Sequence, residues 1–74
     1  GYAVRYEDVC HSSPEQPVVL EIVEEIPAGR SPQQQIRAGQ SARILTGAVM
    51  PEGADTVIMQ EQTQRDGDRV TILA

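Results

Sequence analysis

At 74 residues the chain has room for one small domain, and its net charge of −5, from 11 acidic and 6 basic residues, argues against a nucleic-acid partner. All six basic residues are arginine, which excludes lysine Schiff-base chemistry and the phosphate-binding lysine of a P-loop. Two tyrosines are the only aromatic residues, and a chain this short buries only about 60% of its unfolded surface, so Val, Ile, Leu, Met and Ala must fill a modest core that leans on neighbours.

The single cysteine cannot form an internal disulfide, which suits a reducing compartment. No apolar run approaches the ~20 residues of a membrane span, and no signal peptide is recognisable. The sequence opens on Gly1-Tyr2 and reads as a piece of a longer protein.

In chain order, "YAVR" (2–5) is a short strand candidate and "EDVCHSSPEQP" (7–17) is a polar, Pro-interrupted loop. "VVLEIVEEI" (18–26) is ambiguous. Val19, Ile22, Val23 and Ile26 form a helical stripe, whereas Val18, Leu20 and Ile22 alternate as a strand. The flanking Pro17 and Pro27 and the β-branched content favour a strand. Residues 27–40 read as a loop with a helical turn near Pro32. "SARIL" (41–45), "DTVIMQEQT" (55–63) and "RVTIL" (69–73) are strands. Asp66-Gly67 predicts a type I′ hairpin joining 56–63 to 69–73. Five short strands between Gly/Pro-rich loops predict one mostly β domain over residues 1–74, of mainly antiparallel strands.

Between two of these strands lies "TGAVMPEGAD" (46–55). Gly47 and Gly53 allow close backbone approach or positive φ. Thr46 offers a hydroxyl, and Glu52 and Asp55 offer hard oxygen ligands suited to Mg²⁺. The loop has the parts to hold an anion, alone or bridged by Mg²⁺, although turn chemistry also accounts for every residue in it. Other groupings are weaker. Cys10-His11 supplies two metal ligands where zinc needs three or four. His11 with Ser12 and Ser13 contains the parts of a nucleophilic pair without the spacing that presents them to one another. Glu21, Glu24 and Glu25 read as a solvated strand face, since acid–base work requires burial of a carboxylate pair. Cys10 reads as a free thiol without a catalytic role.

Residues 44–63, "ILTGAVMPEGADTVIMQEQT", resemble the signature of the molybdopterin molybdenumtransferases, the MoeA family, whose animal relative is the E domain of gephyrin. The family pattern R-I-x-T-G-A-x-x-P-x-G-A-D-x-V-V-x-Q-E is matched at Arg43, Ile44, Thr46, Gly47, Ala48, Pro51, Gly53, Ala54, Asp55, Val57, Gln60 and Glu61. "GYAVR" (1–5) resembles the end of the motif S-x-x-D-G-Y-A-x. "IPAGR" (26–30) and "IRAGQSARI" (36–44) resemble two further family stretches, so the resemblance covers nearly the whole chain.

The resemblance implies a cytoplasmic enzyme that inserts molybdate into adenylylated molybdopterin with Mg²⁺ and releases AMP. It implies a multidomain homodimer, with the pterin on a separate α/β domain across a cleft from the partner's N-terminal region. This chain is similar to the β-rich second domain, which is expected to be inactive alone. Thr46 is the implied catalytic residue, facing the cleft, and Gly47, Asp55 and Glu61 are implied substrate contacts. The alternative is a non-catalytic spacer or protein-docking module. An inserted domain also leads us to expect Gly1 and Ala74 on the same side of the fold.

Overall fold

A computed structural model describes all residues from Gly1 to Ala74. The chain forms β1 (Tyr2–Val4), α1 (Tyr6–Val9), β2 (Val18–Ile26), β3 (Gln40–Ile44), β4 (Thr56–Ile58), a 3₁₀ turn (Gln60–Gln62), β5 (Thr63–Asp66) and β6 (Arg69–Ile72). The six strands make one sheet in the order β4-β1-β3-β2-β6-β5. Only the β2–β3 pairing is parallel, so the expectation of a mostly β, mainly antiparallel domain holds. No helix is long and apolar enough to cross a membrane.

The long strand β2 organises the molecule, and a bulge within it explains its ambiguous sequence. Ile22 pairs with Ser41, but the next pairing is Glu24 with Ala42, so Val23 is an extra residue. Side chains alternate with period two, and one extra residue moves everything after it to the opposite face. Before the bulge, Leu20 and Ile22 enter a core with Tyr2, Val4, Val9, Val70 and Ile72. After it, Ile26 enters a second core with Ala3, Ile36 and Ala42, which Val23, Ile44, Ala48 and Ala54 flank. The apparent helical stripe is thus a strand that changes faces. Burying each Val, Leu or Ile contributes about 1.5–3 kcal/mol, and two small clusters take the place of one large core.

The C-terminal third departs from expectation. Residues 55–63 are not one strand. Thr56–Ile58 form an edge strand against β1, and Gln60–Gln62 then coil into the 3₁₀ turn. The hairpin partner of β6 is the polar segment Thr63–Asp66, making six strands rather than five. Asp66 pairs with Arg69, so the central turn residues are Gly67 and Asp68, not Asp66 and Gly67. Gly67 has φ 62° and no non-glycine residue has positive φ, which fits a type II′ turn rather than type I′.

Two local expectations also change. Residues 6–9, mostly within the stretch read as a loop, form one helical turn, and no helical turn forms near Pro32. The ends of the chain are apart. β1 is antiparallel to β3, β3 is parallel to β2, and β2 is antiparallel to β6, so β1 and β6 run the same way. Gly1 therefore starts beside Ile44, near the end of β2, while β6 finishes beside Val18, at its beginning. The nine residues of β2 separate the two ends by roughly 25 Å at the rise of an extended strand.

Candidate functional site

The loop 46–55 leaves the end of β3 through a tight turn. Leu45 donates its N–H to the Ile26 carbonyl (3.1 Å), and Ala48 donates to the Leu45 carbonyl (2.9 Å). Thr46 and Gly47 occupy the centre of that turn, and Gly47 has φ 87°, as a type II turn requires at its second central position. The loop then clasps the preceding long loop. Gly29 donates to the Gly47 carbonyl (3.5 Å) and Ile36 donates to the Glu52 carbonyl (2.8 Å). Gly53 lies against the Ile36 backbone at φ 91°, so close that a Cβ there would collide with the Ile36 carbonyl. Pro51 is fully buried, and Ala48 and Ala54 pack on the second core.

Most of the signature is therefore occupied in building the loop. Thr46 is different. It is exposed at the tip of the turn. Thr56 and Thr63 bond their hydroxyls to Asp55 and Gln60, whereas Thr46 commits its hydroxyl to no partner within the chain. With Gly47 it lines an open depression whose other walls are Gly1, Ile44, Leu45, Ala48 and Val57. Two larger depressions lie around Gln33–Gln35 with Met50 and Glu52, and around Glu24, Pro27 and Arg30. Neither contains a residue of the matched pattern.

Asp55 stands at the far end of β4 from Thr46. Its Oδ1 accepts from the Tyr6 N–H (2.7 Å) and the Thr56 hydroxyl (3.1 Å), and its own N–H donates to the Val4 carbonyl (3.0 Å). The Tyr6 N–H is one of the first-turn donors that an α-helix leaves open, and Arg5 at the N-cap supplies no side-chain acceptor. Asp55 caps α1 from 49 positions away. Glu61 is exposed on the 3₁₀ turn. Its neighbour Gln60 shares the Arg43 guanidinium with the carbonyl of Gly1, a wall of the Thr46 depression. The fold gathers Thr46, Gly47 and Glu61 toward one end of β1 and leaves Asp55 at the other.

The remaining groupings disperse. No three His, Cys, Asp or Glu side chains form a group that could hold a metal ion. Cys10 and His11 are exposed, and the Cys10 thiol is free. Glu24 accepts from the Gln33 N–H (2.9 Å) and the Gln34 N–H (3.0 Å), tethering the long loop. Glu25, on the other face, accepts from Arg65 (2.7 Å). Arg43 is half-buried at the base of the turn, with partners in three segments. The family pattern marked Arg43 in the sequence but not its partners, and a partly buried guanidinium needs acceptors.

Comparison with known proteins decides what this fold is part of. The model of the MoeA N-terminal region (domain I and II) matches residues 1–73. The chain belongs to this family. It is 63% identical over 73 residues to the molybdopterin molybdenumtransferase of Nostoc sp., covering 99% of this chain and 17% of that protein. The Bacillus subtilis molybdopterin molybdenumtransferase is 45% identical over 64 residues, covering 86% of this chain and 15% of that protein. A crystal structure of a molybdopterin biosynthesis MoeA protein from Pyrococcus horikoshii superposes with a TM-score of 0.93 at 40% identity, covering 99% of this chain and 19% of that one. The chain thus spans less than a fifth of the MoeA proteins it matches, and the resemblance read from residues 44–63 extends across the whole fold.

Proposed function

We propose that this domain belongs to a molybdopterin molybdenumtransferase that inserts molybdate into adenylylated molybdopterin, and that Thr46 presents its hydroxyl to the reacting site in the cleft of the whole enzyme. The supporting observation is that Thr46 is an exposed signature residue with an uncommitted hydroxyl, on a turn held rigid by its neighbours. A hydroxyl on a fixed turn can hydrogen-bond an anionic oxygen, of phosphate or molybdate, without reorganising as charge develops. Gly47 keeps the backbone beside it free of a Cβ, and Glu61 borders the same end of the sheet. Asp55 lies at the other end of β1, where it caps α1. Mg²⁺, which the full reaction uses, would neutralise substrate charge. On this reading the whole enzyme is a cytoplasmic homodimer, and the pterin rests on another domain.

The expected outcome for Thr46→Ala in the full-length enzyme is a fall in turnover on the order of 100-fold with unchanged folding. AMP release and cofactor formation from adenylylated molybdopterin measure it. Unchanged turnover would favour a second reading, in which the domain is a spacer or docking module. The exposed apolar residues Leu45, Val49, Met50, Val57 and Met59 around the same loop suit a covering surface of the enzyme's own domains or second subunit.

A further inference from the structure

We propose that Arg43 is the positioning residue of this site, a planar cation that locks the Thr46 turn in register with the segment carrying Glu61. The inference rests on the reading of Thr46 given above. Arg43 Nη1 donates to the Gly1 carbonyl (3.0 Å) and to the Ile44 carbonyl (2.9 Å), and Nη2 donates to Gln60 Oε1 (2.9 Å). The guanidinium carbon sits 5.4 Å from the centre of the Tyr2 ring, its cross-strand neighbour in β1. One side chain therefore joins the start of β1, the end of β3 and the start of the 3₁₀ turn.

The Ile44 contact bears most directly on Thr46. The peptide between Ile44 and Leu45 is gripped on both sides, its carbonyl by Arg43 and its N–H by the Ile26 carbonyl. That peptide is the root of the turn that displays Thr46. Any rotation of it would swing the hydroxyl away from a substrate held on another domain, and a displacement near 1 Å can cost on the order of 100-fold in rate. The Gln60 contact fixes the guanidinium itself, steadying its grip on the Ile44 carbonyl from the 3₁₀ turn. Lysine cannot replace this device, because a point ammonium on a flexible stem lacks the fixed fork that reaches three acceptors while stacking on a ring.

The test uses the full-length enzyme with Arg43→Gln, Arg43→Lys, Thr46→Ala and the Arg43→Gln/Thr46→Ala double variant. The readouts are kcat, KM and backbone hydrogen exchange. Arg43→Gln is expected to lower kcat roughly 10- to 100-fold with KM near that of the parent. Exchange should quicken at Leu45, Ala48 and Gln62 while β2 and β6 keep their protection. Arg43→Lys should recover only part of the rate. The double variant should match Thr46→Ala alone, because a residue acting through Thr46 has nothing left to position. If Thr46→Ala lowers kcat but the Arg43 and Thr46 losses multiply, the inference is overturned while the role of Thr46 stands. An unaltered kcat in Arg43→Gln, or loss of protection spreading into β2 and β6, also overturns it. An unaltered kcat in Thr46→Ala overturns both.

Discussion

Gly53 and Thr46 stand seven positions apart in one motif and do opposite things. Gly53 is a packing residue whose missing side chain lets two loops close on each other. Gly53→Ala combines a backbone at φ 91° with a Cβ driven into the Ile36 carbonyl, and roughly 2–4 kcal/mol of lost stability is expected. Chemical denaturation of parent and variant measures the loss, and equal midpoints would contradict the clasp. Thr46→Ala should leave those midpoints in place and act on turnover alone. The matched family pattern singled out Thr46 and both glycines, while turn chemistry accounted for every residue of the loop. It could not separate their roles. What Gly53 touches depends on Ile36, and what Asp55 caps depends on Tyr6, both brought to the loop only by the folded chain.

Among the elements, β2 was legible as a strand because prolines bracket it and β-branched residues fill it. Its bulge was not, since an extra residue shows only against a partner strand. Glu24 and Glu25 follow the bulge as consecutive strand residues and point to opposite faces, so the acidic run does not act as a unit. The Arg65 hydrogen bond, and then its charge, hold the Glu25 carboxyl below the ordinary glutamate range. Because the folded value lies below the unfolded one, the β2–β5 ion pair stabilises fully above the ordinary glutamate pKa and is lost as pH falls through the depressed value. Glu25→Gln should therefore lower the thermal midpoint slightly at neutral pH, less so at high salt, and match the parent well below about pH 4. Melting curves across that range provide the check, and a gap that persists undiminished in acid would rule the pair out as its source. The C-terminal hairpin shows a different limit. Gly67 marked the turn correctly, but a shift of one residue in the turn centre and a 3₁₀ turn after β4 reassigned the partner strand, because local propensity does not set register.

At the scale of the whole molecule, the domain is an extended sheet of 36 × 20 × 19 Å with two small cores and the Thr46 turn near one end of β1. Catalysis needs substrate held against the reacting groups, and the open depression beside Thr46 offers one side-chain hydroxyl among glycine and apolar walls. The isolated 74-residue chain is accordingly expected to release no AMP from adenylylated molybdopterin, and measurable release would show that the domain suffices. The sequence by itself determined the family, the β class and the loop that matters, because those depend on residue types at close spacing: glycines where φ turns positive, prolines at strand ends, a specific run from Arg43 to Glu61. Only the tertiary structure decided that the two termini lie apart, that Asp55 caps a helix, and that Arg43 joins three segments. Each of those depends on which strands lie side by side and in which direction, and contacts between residues 40 or more positions apart leave no periodic trace in the chain.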